Sequence, residues 1–198
     1  MITDPAAPPP VVPAGTMAGG DQPVLPLPGR DLVLRPWTPH DAPALLAAGN
    51  DPAIRHWNLF SVPDLADAER RIARMHHRWR EESAALWAIA DGHHALGLIG
   101  WTDIDLAAGT AEIVYWALPA ARGGGIVTDA VRRATAWALD DLGLHRLRLC
   151  HSVANPASCR VATRTGYPLE GTMRSALHHA DGWHDQHLHA HLAGDPRP

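Results

Sequence analysis

The stretch from Thr110 to Thr128 restricts the fold of this chain more than any other part. It starts as a largely apolar extended run, Ala111 to Leu118, and then reaches three consecutive glycines, 123–125, from which a helical pattern follows at once. Glycines allow backbone N–H groups to converge, and a helix N-terminus carries partial positive charge. A strand that leads through glycines into a helix therefore predicts an anion site, of the kind that holds a phosphate group.

Composition excludes several classes of protein. The chain has 198 residues, of which 46% are hydrophobic, and this is enough for one domain with a real core. The formal net charge of −4 argues against nucleic acid as the main partner, because phosphate-binding faces are usually basic. No apolar run is long enough for a membrane span, no secretory leader is evident, and Cys150 and Cys159 make no disulfide framework. We therefore expect a cytoplasmic protein.

The first thirty residues differ from the rest of the chain. Residues 1–30 carry eight prolines among glycine, alanine and scattered polar residues. Such a composition buries too little apolar surface to offset the entropy of ordering, so we predict a disordered leader. The folded domain is predicted to span 31–193, and 194–198 to form a C-terminal tail.

The remaining pattern predicts a mixed sheet with helices packed on it. Apolar residues at helical spacing cover 64–82 and 128–142, and a shorter helix begins after Asn155. The order of elements indicates an α/β protein of the α+β type, with a mixed, mostly antiparallel sheet of about seven strands and helices on both faces. The predicted strands are 32–35, 85–90, 95–104, 111–118, 146–153, 167–176 and 186–192, with a loop at 178–183 before the last.

Three nucleotide-binding patterns compete for the glycine turn. A Walker P-loop requires Gly-Lys-Ser/Thr after its glycines, which this turn lacks. A dinucleotide fingerprint requires a third glycine and an acidic residue on the next strand, and neither is present. The spacing R-x-x-G-x-[G/A] directly after a strand does fit, since Arg122 and Gly125 match it and Val127 replaces the usual small residue.

Further matches follow in order along the chain. Asn155-Pro156-Ala157-Ser158 opens the next helix, Gly166-Tyr167 follows it, and 169–174 has the sequence L-E-G-T-M-R. Asp185 and the early Leu34-Arg35-Pro36 complete the set. With these motifs the predicted domain resembles the GCN5-related N-acetyltransferase (GNAT) superfamily, and within it the ribosomal-protein N-acetyltransferase-like (RimJ/RimL-like) branch. The resemblance implies the GNAT fold and acetyl-CoA as co-substrate.

The resemblance also implies which residues hold acetyl-CoA. The strand before the glycine turn, from Tyr115 to Leu118, would pair with the pantetheine and point N–H groups at the thioester oxygen. The turn would hold the pyrophosphate, Arg122 would lend charge, and Asn155 would bond the pantetheine arm. The implied cofactor-binding residues are Trp116, Ala117, Leu118, Arg122, Gly123, Gly124, Gly125, Ile126, Val127, Thr128, Asn155 and Ser158.

Two catalytic roles accompany acetyl transfer to an amine, a proton donor for the leaving thiolate and a base for the amine. Many family members place a tyrosine seven residues after the asparagine, where this chain has Ala162, so Ser158 is the expected donor. The base stays open, because some relatives carry a glutamate just past the strand, where this chain has Pro119. The candidates are Glu112, Tyr115 and Asp103, together with a water relay.

The last predicted strand is rich in histidine. His187, His189 and His191 share one of its faces, but successive members lie about 6.5–7 Å apart along a strand. That spacing is long for a single ion with ligand distances near 2 Å, so no metal is expected. One of these histidines near the substrate could instead act as a base.

Four of the eight tryptophans fall in or near loops and strand ends that shape the acceptor site in relatives. Core packing is the default interpretation for a tryptophan, and an aromatic acceptor is the alternative for the set. These residues are Trp37, Trp57, Trp101 and Trp183.

The sequence thus predicts an acetyl-CoA-dependent N-acetyltransferase that acts on a primary amine, either a protein N-terminus or a small molecule. The alternative is a non-catalytic acyl-CoA-binding sensor or scaffold of the same fold, and a third hypothesis is a histidine-rich metal binder. Neither a membrane nor a nucleic acid is an expected partner. The oligomeric state is open, with a homodimer as one form to test.

Overall fold

Eight strands and five α-helices make up the computed structural model, which describes residues 8–197. The strands are β1 (Leu25–Pro26), β2 (Val33–Pro36), β3 (Ala85–Asp91), β4 (His94–Asp105), β5 (Thr110–Ala117), β6 (Arg146–Ser152), β7 (Leu169–His179) and β8 (Gly182–Leu192). The helices are α1 (Ala42–Asn50), α2 (Pro52–Asn58), α3 (Leu65–Arg80), α4 (Ile126–Ala136) and α5 (Pro156–Arg164). The strands form one sheet in the order β1-β2-β3-β4-β5-β6-β8-β7, and the predicted fold class is confirmed.

The sheet divides between β5 and β6. All other neighbouring strands are antiparallel, while this pair is parallel and short, joining 110–112 to 146–148. Beyond that point β5 still pairs with β4 as far as Ala117, and β6 still pairs with β8 as far as Ser152. Because each strand keeps its outer neighbour but loses the inner one, a V-shaped opening forms in the middle of the sheet.

Each face of the sheet buries its own hydrophobic core. On the face covered by α4, Trp79, Trp87 and Trp137 pack together with ring centroids 4.8–6.3 Å apart. On the face covered by α1 and α2, Trp37 and Trp116 pack with centroids 5.9 Å apart. Aromatic side chains bury large areas and dominate core energetics, so these two groups fix the helices against the sheet.

The N-terminal segment is ordered from residue 8, which contradicts the prediction of a disordered leader for the described part. Val12, Met17, Leu25 and Leu27 are all buried in the core on the α4 face. The prediction failed because it used average composition, whereas a few apolar side chains at the right positions are sufficient once a core exists to receive them. The part of the predicted leader in residues 1–7 lies outside the described range.

Polar contacts hold the same segment in place. The Glu82 carboxylate accepts hydrogen bonds from the backbone N–H groups of Gly15, Met17 and Ala18 at 2.6–3.1 Å. Burial tends to raise the pKa of Glu82, but these three donors outweigh it and lower the pKa below its ordinary value. The Trp79 indole N–H also donates to the Gly20 carbonyl at 3.0 Å, so core residues anchor the segment as well.

Two helices begin at residues suited to a helix N-terminus. Asp51 accepts a hydrogen bond from the Ile54 N–H at the start of α2, and α4 begins directly after Gly125. The helix after the glycine turn continues beyond α4 as a π-helical segment, 137–141. The predicted loop at 178–183 is instead a tight turn, because β7 and β8 extend to within two residues of each other. Among the described helices, none combines the length and the apolar character needed to cross a membrane.

Candidate active site

The opening between β5 and β6 forms a cleft through the sheet. Eight predicted site residues line it, namely Glu112, Tyr115, Trp116, Ala117, Arg122, Val127, Asn155 and Ser158. The glycines 123–125 lie beside it in the chain, where β5 gives way to α4, and Ile126 and Thr128 begin that helix. The structure therefore gathers residues that the sequence separates by more than forty positions.

The backbone of β5 presents alternate peptide groups to the cleft. The Leu118 N–H donates to the Leu96 carbonyl at 2.9 Å, so Leu118 directs its backbone toward β4. Peptide groups alternate along a strand, so Trp116 also faces β4, while Tyr115 and Ala117 face the cleft. Within the strand predicted to pair with the pantetheine, Tyr115 to Leu118, alternate residues thus differ in the direction of their peptide groups. Only Tyr115 and Ala117 direct theirs to the cleft, a difference that the sequence alone did not specify.

The glycine turn exposes a row of backbone donors. Gly123 and Gly125 have φ values of +85° and +77°, a region that side chains disfavour and glycine tolerates. Among the described residues, none accepts a hydrogen bond from the backbone N–H groups of 123–128, whereas the next N–H group, that of Asp129, donates to the Gly125 carbonyl. Unpaired N–H groups at the start of a helix attract an anion, which supports the predicted phosphate site.

Two arginines flank this turn, and each is held by an aspartate. Arg122 donates from Nε to the Ala117 carbonyl at 3.0 Å and from Nη2 to Asp51 at 2.7 Å. Arg30 donates from Nη2 to the Gly124 carbonyl and from Nε to Asp129, both at 2.6 Å. Sequence reasoning missed Arg30, because it placed that residue in a disordered leader, and a single arginine beside a proline-rich stretch gives no signal.

The N-terminus of α5 brings Asn155 and Ser158 against β5. The Asn155 side-chain oxygen accepts from the Ser158 N–H at 3.2 Å, so it caps the helix and leaves its amide NH₂ group for other partners. The Ser158 hydroxyl lies near the Tyr115 phenol and lowers its pKa, but burial outweighs this effect and raises the pKa of Tyr115 to about 12. Tyr115 is therefore a neutral phenol near pH 7 and a hydrogen-bond donor, which argues against the predicted role as a base.

Glu112 lies on the face of β5 opposite to Tyr115, next to charged residues from the neighbouring strands. Burial raises its pKa, the Arg148 guanidinium at 3.5 Å lowers it, and the nearby charge of Asp103 raises it again. The net effect is a pKa above the ordinary value, which suits a general base. Cys150 lies beside Glu112, and burial raises its pKa to about 12, so it stays a thiol.

A chain of three hydrogen-bonded polar side chains, which starts at Ser152 in the cleft, was not predicted from the sequence. Ser152 Oγ lies 2.8 Å from His184 Nδ1, and His184 Nε2 lies 3.0 Å from an Asp181 oxygen. The carboxylate only accepts, so Nε2 carries the proton and Nδ1 accepts from the serine hydroxyl. The three residues sit on two strands and the turn before the second, and only the strand register brings them together, so sequence spacing contains no signal for them.

The four tryptophans predicted to shape the acceptor site differ in their burial and in their distance from the cleft. Trp37 and Trp101 are fully buried, which agrees with core packing. Trp57 is half-buried and lines the cleft, while the Trp183 side chain is 65% exposed at the turn between β7 and β8. Only Trp57 is thus in place to contact an acceptor inside the cleft.

The parallel strands that separate next to a glycine turn place this chain in the class of mixed α/β proteins with an anion site at the end of a cleft. The model of the acetyltransferase (GNAT) domain family matches residues 31–168. The chain belongs to this family, and the resemblance found in the sequence is confirmed.

Curated relatives and a solved structure agree with this assignment. The chain is 34% identical over 110 residues to a putative ribosomal N-acetyltransferase, YdaF, from Bacillus subtilis (strain 168), a match that covers 54% of this chain and 60% of the relative. It is 30% identical over 109 residues to a ribosomal-protein-serine acetyltransferase from Escherichia coli (strain K12), covering 55% and 61%. The matched part spans less than two thirds of either relative.

Among solved structures, the microcin C7 self-immunity acetyltransferase MccE, in complex with acetyl-CoA and AMP, superposes with a TM-score of 0.72 and 26% sequence identity. The superposition covers 81% of this chain and 92% of the other. The similarity therefore extends well beyond the stretches matched in the curated relatives.

Proposed function

We propose that this protein is an acetyl-CoA-dependent N-acetyltransferase that moves the acetyl group to a primary amine by direct attack on the thioester. The observation that carries the proposal is the combination of the opening between β5 and β6 with the unpaired N–H groups of 123–128 at its mouth. An extended pantetheine would take the place of the missing strand partner along β5, and the pyrophosphate would sit on the glycine turn.

The cofactor-binding residues follow from this placement. The peptide groups of Tyr115 and Ala117 would bind the pantetheine and direct an N–H group at the thioester oxygen, where negative charge develops as the amine attacks. The free amide group of Asn155 would donate to a pantetheine carbonyl. Arg122 would exchange its contact with Asp51 for the cofactor phosphates.

The proton steps involve both sides of the cleft. Glu112 would take a proton from the substrate ammonium, directly or through a water molecule, because its raised pKa places it closer to neutral pH. An ordinary thiol has a pKa of about 8.5, well below that of Tyr115 at about 12. Tyr115 and Ser158 would therefore stabilise the departing thiolate by hydrogen bonds rather than by complete proton transfer.

The Ser152–His184–Asp181 chain offers a second route for the proton from the amine. A proton accepted through Ser152 would reach His184 Nδ1, and Asp181 would stabilise the resulting imidazolium. The variants Glu112→Gln and His184→Gln distinguish the two routes. The increase of kcat/KM with rising pH should be lost only in the variant that lacks the true base. The candidate acceptors are a protein N-terminus and a small amine, and the names of the two curated relatives favour a ribosomal protein as the source of the amine.

The test measures binding and turnover separately. Acetyl-CoA should raise the melting temperature, and thiol release should appear with at least one member of a panel of peptides with free N-termini and of small primary amines. Stabilisation without thiol release across the panel would favour the non-catalytic sensor or scaffold instead. No stabilisation by acetyl-CoA would contradict both.

A further inference from the structure

Three histidines from two neighbouring strands meet on the α5 side of the sheet. His151 on β6 lies directly opposite His187 on β8, and His189 follows two residues later. One ring nitrogen from each lies within 4.8 Å of the other two, and the ring centroids are 5.2–5.8 Å apart. The sequence argument against a metal concerned His187, His189 and His191, which lie on one strand. In the structure the third member of the cluster is instead His151, from the adjacent strand.

The protonation of two of these rings is set by their neighbours. His151 Nδ1 lies 2.8 Å from the Ser152 carbonyl oxygen, and His189 Nδ1 lies 2.9 Å from that of Tyr167. A carbonyl only accepts, so each Nδ1 carries a proton and each neutral ring presents a lone pair at Nε2. The two Nε2 atoms are 3.3 Å apart. Two lone pairs therefore face each other, an unfavourable arrangement that a positive species between them would relieve.

A metal ion fits the spacing of the His151 and His189 nitrogens, and the His187 nitrogen lies within 4.8 Å of both. A tetrahedral zinc ion with Zn–N distances of about 2.0–2.1 Å separates its ligand nitrogens by about 3.3–3.4 Å, and the two Nε2 atoms are 3.3 Å apart. An Nδ1–H group that donates to a backbone carbonyl is also the usual outer contact of a metal-binding histidine.

The third ring distinguishes a metal from a shared proton. A proton between His151 and His189 would satisfy those two rings, but it would assign no role to His187. The Nδ1 atom of His187 is buried and has no hydrogen-bond partner in the described part of the chain. A metal uses all three rings.

We propose that His151, His187 and His189 form a binding site for one divalent first-row transition-metal ion, for which their three imidazoles are suitable ligands. His187 and His189 also line a surface cavity beside Cys159 and Gly166, which gives the ion a path from solvent. The ion would join β6 and β8 beneath the turn that follows α5. Its role is structural, to support the helix that carries Asn155 and Ser158.

The test uses tag-free protein treated with a chelator and then titrated with Zn²⁺ against a chromophoric competitor. We expect one tight ion per chain and a rise in melting temperature that chelation reverses. His187→Ala should weaken zinc binding by about 100-fold or more, since one of three ligands is lost. His187→Cys should retain tight binding, because a thiolate is also a zinc ligand. His94→Ala is the matched control, because His94 is exposed and should leave binding unchanged.

Three results would overturn the proposal. One is the absence of a tight ion in the unaltered protein, and another is equal zinc affinity in the unaltered protein and His187→Ala. The third is loss of zinc in His56→Ala but not in His187→Ala, which would move the ion to the second cluster of possible ligands, His56, His179 and Asp181. Circular dichroism and stabilisation by acetyl-CoA would show whether each variant is folded.

Discussion

Ser158 on α5 and Tyr115 on β5 both line the cleft, and the Ser158 hydroxyl lies close enough to the phenol to lower its pKa. If the pair stabilises the departing thiolate, Ser158→Ala should lower kcat by about 10-fold and leave the affinity for acetyl-CoA nearly unchanged, since a hydrogen bond to a charged group contributes about 1.5–3 kcal/mol. Steady-state kinetics and a calorimetric titration measure the two quantities. Tyr115→Phe should have a similar effect, and the double variant should lose little more, because the two hydroxyls act together. An unchanged kcat in Ser158→Ala would remove it from the mechanism.

Glu112 is expected to lower the stability of the fold at neutral pH and to increase activity. Its folded-state pKa is raised, so its contribution to folding is most favourable at low pH and is lost as pH rises through the folded value. Glu112→Gln should therefore raise the melting temperature at pH 7, and this gain should shrink at pH 4. The same variant should lower kcat/KM by about 10- to 100-fold and flatten its rise with pH. Asp105→Asn, an exposed site at the end of β4, serves as the control. A destabilised Glu112→Gln at pH 7 would show that the ion pair with Arg148 outweighs burial.

Gly125 should not tolerate a branched side chain. Its φ of +77° is unfavourable for any other residue, and a Cβ there would lie 3.3 Å from the Arg30 guanidinium. Gly125→Val should abolish detectable acetyl-CoA binding, because the side chain would crowd the pyrophosphate and displace the N–H groups of the turn. Gly171→Ala is the control, since that residue lacks a positive φ and a Cβ there meets nothing within 4 Å. Binding of acetyl-CoA to Gly125→Val at the original affinity would place the phosphates elsewhere.

Arg30 should contribute to cofactor affinity although it lies outside the family match. Its guanidinium lies at the turn and contacts the Gly124 carbonyl. We expect Arg30→Ala to weaken acetyl-CoA binding by about 3- to 10-fold and to reduce its salt dependence, as loss of a partly exposed charge near a phosphate would do. Arg132→Ala is the matched control, because Arg132 also pairs with Asp129 but otherwise contacts the Arg164 carbonyl. Tighter binding in Arg30→Ala would mean that Arg30 obstructs the turn instead.

Local patterns predicted most of the fold. The glycine turn, the helix that follows it and the cap at Asn155 depend on neighbours within a few residues, and the structure has all three. The proximity of Ser158 to Asn155 could also be predicted, because residues three positions apart lie on the same face of a helix.

Long-range pairing accounts for what was missed. The contact of Ser152 with His184 and the approach of His151 to His187 depend on the register between β6 and β8, which a single sequence does not specify. The packing of Val12 likewise depends on a core assembled from distant elements. The positions of such residues could be predicted only after the sheet order was known.

The N-terminal segment has a consequence for how the molecule responds to its cofactor. The same segment supplies Val12 and Met17 to a core and Arg30 to the mouth of the cleft. Binding at the turn and docking of the segment are therefore thermodynamically linked, and linkage is reciprocal. Acetyl-CoA should slow hydrogen exchange and proteolysis in residues 8–30, far from the thioester. Substitutions that loosen the packing of this segment should in turn lower the affinity for acetyl-CoA.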